Sequence, residues 1–192
     1  MSSLIETFPI PIFIDFPDDF LLYKEKILDY IYINQSENAG VTKSNLGGWQ
    51  SQIIKFGPHY DYFNTIIKNC LKNHINRQYK FKINSYWLNV NNPSSQNLFH
   101  THPGSDLSAV LWVEVPENSG DLSFKNPQHH IDYKSLDCFC FSTNYKPVIN
   151  FTPISGAIII FPSFLEHSVG VNQSKNNRIS IAFNLDLIKN DD

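Results

Sequence analysis

The chain has 192 residues, 42% hydrophobic and 17% charged, with a formal net charge of −3. That length fits one domain with a substantial core, and the composition excludes a disordered chain. The slightly acidic balance leaves no basic footprint for nucleic acid, and no apolar run approaches the ~18 residues a membrane helix needs.

In chain order, the first element is Phe8-Pro9-Ile10-Pro11-Ile12-Phe13-Ile14. It is apolar but carries two prolines, which predicts an edge strand or extended arm, and such an edge offers a surface for a homodimer. Leu21, Leu22, Ile27, Leu28 and Ile31 recur at helical spacing behind Asp18-Asp19, a pair suited to an N-cap. A loop rich in Asn, Ser and Gly runs from Asn34 to Gly48. Phe63, Ile66, Ile67, Cys70, Leu71 and Ile75 predict a second helix over 60–77. The basic stretch from Lys72 to Lys82 reads as the end of that helix running into a strand, its lysines solvated.

From Phe81 the character changes to short runs of Val, Ile, Phe and Trp broken by turn formers. Strands are expected near 82–90, 97–102, 107–115, 120–125, 137–142, 147–152, 156–161, 166–171 and 178–187. Two helices on about eight short antiparallel strands imply a jelly-roll. Residues 1–80 would pack on a core formed by 81–188, all within one domain, and the mouth between the sheets would be a natural ligand pocket.

Histidines fall where that pocket would lie. His100 and His102 are one residue apart, so in an extended strand they share a face and could grip one metal ion. His167 follows the strand Gly-Ala-Ile-Ile-Ile-Phe-Pro, and Arg178 lies eleven positions beyond it. A basic residue there would hold an anionic co-substrate beside the metal, which suggests redox metal chemistry. Ser180 shares the strand face of Arg178, and Trp87 and Asn89 are candidates for lining the pocket.

Other candidates are weaker. Glu166 should point to the opposite face from His167, and His129 and His130 fall in a loop. His59 and His74 sit near helix ends, where a capping role is the default. Trp49, Trp87 and Trp112 read as core, with Trp49 in its Gly-Gly loop the best rim contact. Cys138 and Cys140 share a strand face without a second pair, so they read as buried small hydrophobes. The odd count of three cysteines and an N-terminus without a secretory signature are expected of a cytoplasmic protein.

Several of these segments together resemble a known family. They are Gly47 to Ser51, Ser85-Tyr86-Trp87-Leu88-Asn89-Val90, His100-Thr101-His102-Pro103-Gly104-Ser105, Leu122 to Pro127, Gly156 to His167, and Arg178-Ile179-Ser180-Ile181-Ala182-Phe183-Asn184. The chain is similar to the Fe(II)- and 2-oxoglutarate-dependent oxygenases, and more narrowly to a group found in marine bacteria and their phages. The resemblance implies a cupin-like double-stranded β-helix core and a mononuclear Fe(II) held by His100, His102 and His167. It also implies 2-oxoglutarate as co-substrate, with Arg178 gripping its far carboxylate. Oxidative decarboxylation would release succinate and CO2 and hydroxylate a C–H bond of a small-molecule or peptide substrate, in the cytoplasm of the cell or of a phage host.

One position departs from the superfamily's commonest pattern, which is His-x-Asp or His-x-Glu followed by the distal His. Here the second residue is His102, so three neutral ligands would leave the site one negative charge short. Asp106 is an alternative carboxylate if the turn at Pro103-Gly104 curls back. Two other functions compete: a non-catalytic cupin-like module for small ligands, and a three-His metal dioxygenase that does not use 2-oxoglutarate.

Overall fold

A computed structural model describes residues 9–128 and 146–190. His129, His130, Cys138, Cys140 and the strand expected over 137–142 lie outside the described residues. The elements are β1 (Phe13–Asp15), α1 (Phe20–Glu37), β2 (Asn45–Leu46), β3 (Trp49–Gln50), α2 (Tyr60–Leu71), β4 (Tyr79–Asn91) and β5 (Gln96–His100). They continue with β6 (Leu107–Glu114), β7 (Leu122–Lys125), β8 (Val148–Phe151), β9 (Ile158–Pro162), β10 (His167–Val169) and β11 (Arg178–Lys189). Every pairing is antiparallel. One sheet has six strands in the order β1-β9-β6-β11-β4-β3, and the other has five in the order β2-β5-β10-β7-β8.

Period-two alternation gives the six-stranded sheet two different faces. On one face, Leu88 and Val90 of β4, Leu111 and Val113 of β6, and Ile179, Ile181 and Phe183 of β11 form an apolar core. The two helices cover it: Ile27 and Ile31 from α1, and Phe63, Ile66, Ile67 and Leu71 from α2 are buried there. Phe63 stands edge-on to both Tyr86 and Phe183, with centroids 5.6 and 5.4 Å away. On the other face, Trp112, Ile159 and Phe161 pack against Leu122 and Phe124 of the five-stranded sheet. This second core fills one end of the sandwich only. The other end holds polar side chains and opens to solvent.

The helix at 60–77 is shorter than its apolar spacing predicts. α2 stops at Leu71, and His74 and Ile75 turn back to bond the Leu71 carbonyl at 2.9 and 3.1 Å. Asn76 ends the turn by accepting the Gln78 N–H through its own side chain, which competes with further helix. α1 is longer than expected, reaching Glu37. Asp19 occupies its N-cap position but makes no side-chain cap bond. The proline-bearing arm does end in an edge strand: among the described residues, β1 pairs with β9 alone. Among the described residues, no helix is long and apolar enough to cross a membrane.

Candidate metal centre and co-substrate pocket

The five-stranded sheet brings the histidines together. His167 opens β10 and lies directly across from His100, the last residue of β5, with Phe124 of β7 on its other side. His102 follows two residues past the strand end, tied back by its N–H to the Ser163 carbonyl at 3.0 Å. One ring nitrogen from each of His100, His102 and His167 lies within 4.8 Å of the others. The rings are 4.3 Å (His100 to His167), 5.0 Å (His102 to His167) and 5.1 Å (His100 to His102) apart between centroids.

Each ring is oriented by a hydrogen bond at Nδ1. His100 Nδ1 is 2.7 Å from the Leu98 carbonyl and His167 Nδ1 is 2.9 Å from the Leu165 carbonyl. A carbonyl oxygen only accepts, so both Nδ1 atoms carry the proton and both Nε2 atoms keep a lone pair. His102 Nδ1 donates in the same way to Asn184 Oδ1 at 2.7 Å. Burial holds all three rings neutral: it pushes His102 down to about 4 and His167 down to about 3, and lowers His100 as well. Three neutral imidazoles with free Nε2 atoms are a donor set that fits Fe(II), and each carries the outer hydrogen bond that metal-binding histidines use.

Asp106 takes no part. Its carboxylate accepts the Leu187 N–H at 2.7 Å, and its backbone bonds Leu185 and Ser163, which turns it toward β11. The alternative of a carboxylate ligand from this turn is thus not what the fold builds. Glu166 faces away, as expected, and pairs with Lys125 at 2.9 Å.

Across from the histidines, the six-stranded sheet presents Arg178. Its side chain is fully buried, and burial lowers its pKa only to about 10, so it stays cationic at neutral pH. Nη1 donates to the carbonyls of Ser119 and of Gly170, the latter at 2.9 Å. Gly120 makes this cradle feasible: its φ is +92°, and a Cβ there would collide with the Gly170 carbonyl. The adjacent Nε and Nη2 have no partner, and no carboxylate among the described residues pairs with this cation. A buried, uncompensated guanidinium costs several kcal/mol unless an anion joins it, and Nε with Nη2 form the fork that matches a carboxylate.

Register completes the pocket. Ser180 on β11 is paired with Asn89 of β4 on one side and Trp112 of β6 on the other, so these three form a row beside Arg178. All of them line one cavity, together with the three histidines, Trp87 and Asn97. Trp112 is core, as its sequence context suggests, yet its indole N–H is buried without a partner beside the cavity. Trp49 is instead tied to the end of α1 by an indole bond to the Asn38 carbonyl at 2.9 Å.

A second cavity reaches the histidines from outside. It is lined by Lys43, Gln52, Ile53, Leu98 and Phe99, and shares Ser44, Trp87, His100 and His102 with the inner one. Ser44 Oγ lies 3.5 Å from His100 Nε2. Neither Ser44 nor Asn184 is conspicuous in the sequence. Alternation along β11 from Arg178 and Ser180 leads on to Asn184, but Ser44 carries no comparable signal.

A protein-family model described as "Putative 2OG-Fe(II) oxygenase" matches residues 85–184, more than half of the chain. The protein therefore belongs to this family of 2-oxoglutarate-dependent Fe(II) oxygenases, whose metal and co-substrate are the ones the two-part site fits. Among solved structures, the chain is similar to a prolyl-4-hydroxylase of Pseudomonas putida, at 14% identity and a TM-score of 0.61, over 91% of this chain and 92% of that one. It is similar to the viral collagen prolyl hydroxylase of Paramecium bursaria Chlorella virus-1 in its 2-oxoglutarate complex, at 15% identity and a TM-score of 0.56, over 90% and 94%. It is also similar to HygX from Streptomyces hygroscopicus with nickel and 2-oxoglutarate bound, at 8% identity and a TM-score of 0.61, over 92% and 82%. These likenesses establish the double-stranded β-helix fold. No curated protein matches the chain.

Proposed function

We propose that the protein hydroxylates a C–H bond of an organic substrate while 2-oxoglutarate is converted to succinate and CO2. The observation that carries this reading is the buried Arg178 with its open Nε–Nη2 edge, facing three histidines whose Nδ1 atoms carry the proton and whose Nε2 atoms keep a lone pair. Fe(II) bound by His100, His102 and His167 would supply O2 activation coupled to oxidative decarboxylation of the co-substrate.

The chain's own part is positioning and exclusion of water. Arg178 takes the far carboxylate of 2-oxoglutarate through its fork, and the Ser180 hydroxyl and Trp112 indole N–H add donors beside it. Asn89, next in the row, presents an amide to the same anion. Phe161 and Phe124 wall off His167 with centroids 4.7 and 6.1 Å away, and Trp87 covers His102 at 5.3 Å. The substrate enters by the outer cavity, where Ile53, Leu98 and Phe99 are exposed apolar walls and Lys43 is a cation at the rim. Among the described residues, no acidic side chain lines that cavity. A peptide side chain and a small metabolite both suit such a wall, and the protein is proposed to act on one of these without nucleic acid or membrane.

The test is direct. Anaerobic addition of Fe(II) and 2-oxoglutarate should produce a weak visible charge-transfer band, and calorimetry should register 2-oxoglutarate binding. Aerobic incubation with a panel of peptides and metabolites should then release succinate. No band and no binding heat would sink the reading. The buried fork also speaks against a three-His dioxygenase that dispenses with 2-oxoglutarate, since such an enzyme has no use for Arg178.

A further inference from the structure

The three hydrogen bonds that orient the histidines are not alike. His100 and His167 each donate Nδ1–H to a backbone carbonyl two residues earlier, Leu98 and Leu165. Any side chain at those two positions would supply the same oxygen. His102 is held by a side chain instead, the Oδ1 of Asn184, from a residue 82 positions away. The strand that carries Asn184 also carries Arg178, Ser180 and Ala182 on the same face, all lining the inner cavity. Asn184 itself lines the outer cavity. The pairing of β11 with β4 shifts register beside it: Asn184 faces Ser85 and Leu185 faces Ile83, so the extra residue, Asn84, lies on β4. This bulge in β4 falls opposite the point where the face bearing Arg178 reaches His102.

From this we infer that Asn184 is the positioning residue of the metal centre, setting the tautomer, aim and basicity of His102. The inference rests on the metal-centre reading above. His102 lies past the end of β5 and its Nδ1–H is held by Asn184 rather than by a backbone carbonyl, so removing Asn184 takes away the acceptor that keeps the proton off Nε2. A proton on Nε2 removes the lone pair a metal needs. The identity of the acceptor also sets charge. An amide oxygen keeps His102 a neutral ligand, whereas a carboxylate in its place would draw the Nδ1 proton and make the imidazole a stronger donor. One side chain thus determines both whether the third ligand is available and how much negative charge reaches the metal.

Two substitutions and a metal-free measurement test this. In 15N-histidine NMR of the metal-free protein, His102 should carry its proton on Nδ1, and Asn184→Ala should move it into tautomer exchange while His100 and His167 stay unchanged. Co(II) titrated by its visible absorption should bind Asn184→Ala about 10–100-fold more weakly, and Asn184→Asp should recover the affinity. The Fe(II)–2-oxoglutarate band of Asn184→Asp should move to lower energy, because added negative charge makes the iron easier to oxidise. A merely structural residue would lower the melting temperature of the alanine variant without changing the affinity of its folded fraction. Unchanged Co(II) affinity in a folded Asn184→Ala overturns the inference. Should the alanine variant fail to fold, an unmoved band in Asn184→Asp overturns it. Wild-type protein that binds no Co(II) sinks the metal-centre reading instead, so the two failures are distinguishable.

Discussion

The two faces of the six-stranded sheet are built from the same strands yet obey different rules. On the helix side, Leu88, Val90, Leu111, Ile181 and Phe183 are fully buried and need only volume and apolarity. On the cavity side, the alternate residues Asn89, Asn91, Arg178, Ser180 and Asn184 are polar, and the guanidinium keeps two donors without partners. Stability lives on the first face and unspent binding capacity on the second. A polar residue buried without a partner is costly to the fold, so its persistence on one face marks a place for a ligand.

Four experiments would break or sharpen that contrast. Phe63→Ala should have the largest effect, because the ring packs edge-on against Tyr86 and Phe183 and is fully buried. Unfolding free energy should fall by about 3–5 kcal/mol, read by urea denaturation, while Co(II) affinity of the folded fraction holds. If metal affinity fell in parallel, the faces would not be separable.

Arg178→Leu should do the reverse. Loss of one partner of a buried charged pair costs about 2–5 kcal/mol, so calorimetric 2-oxoglutarate binding should weaken on the order of 30-fold or more. The metal-free protein should gain stability or stay level, since an uncompensated cation is removed. A destabilised protein with intact 2-oxoglutarate affinity would reverse the assignment of this face.

Acid titration separates the faces again. The buried histidines are held below an ordinary value near 6.5, His102 to about 4 and His167 to about 3. The unfolded chain therefore binds more protons between those values, and stability of the metal-free protein rises with pH in that window. Their neutral forms support the fold fully above about pH 6.5, and that support is lost as pH falls through about 4. Urea midpoints measured from pH 8 to pH 4 should drop over this interval, and His102→Gln with His167→Gln should flatten the slope. An unchanged slope would mean that the cavity face does not carry the acid sensitivity.

Asp106→Asn should have the smallest effect. The carboxylate is exposed and accepts one backbone N–H, so the cost is about 1 kcal/mol or less, with Co(II) affinity unchanged. A marked fall in metal affinity would restore Asp106 as a ligand.

Much of the fold was legible because strands announce themselves locally. The expected strands at 107–115 and 178–187 match β6 and β11 to within a residue or two, and alternation along each fixes which side chains share a face. His100, His102, His167 and Arg178 stand out by residue type and spacing, and each lies in the cavity between the sheets. The end of α2 was not legible, because Ile75 keeps the apolar spacing although the helix has already stopped at Leu71. Asn184 was not either, since its meaning depends on meeting a residue 82 positions away.

The amino-acid sequence by itself determined the alternation of apolar and polar residues along each strand, the two covering helices and the three imidazoles with their distant guanidinium. These follow from local periodicity and side-chain chemistry, which need no partner to be read. Only the tertiary structure decided that His100 faces His167 across β5 and β10, that Asp106 turns toward β11, and that Asn184 rather than a backbone carbonyl holds His102. Those outcomes depend on strand register, where a shift of a single residue would send each side chain to the opposite face.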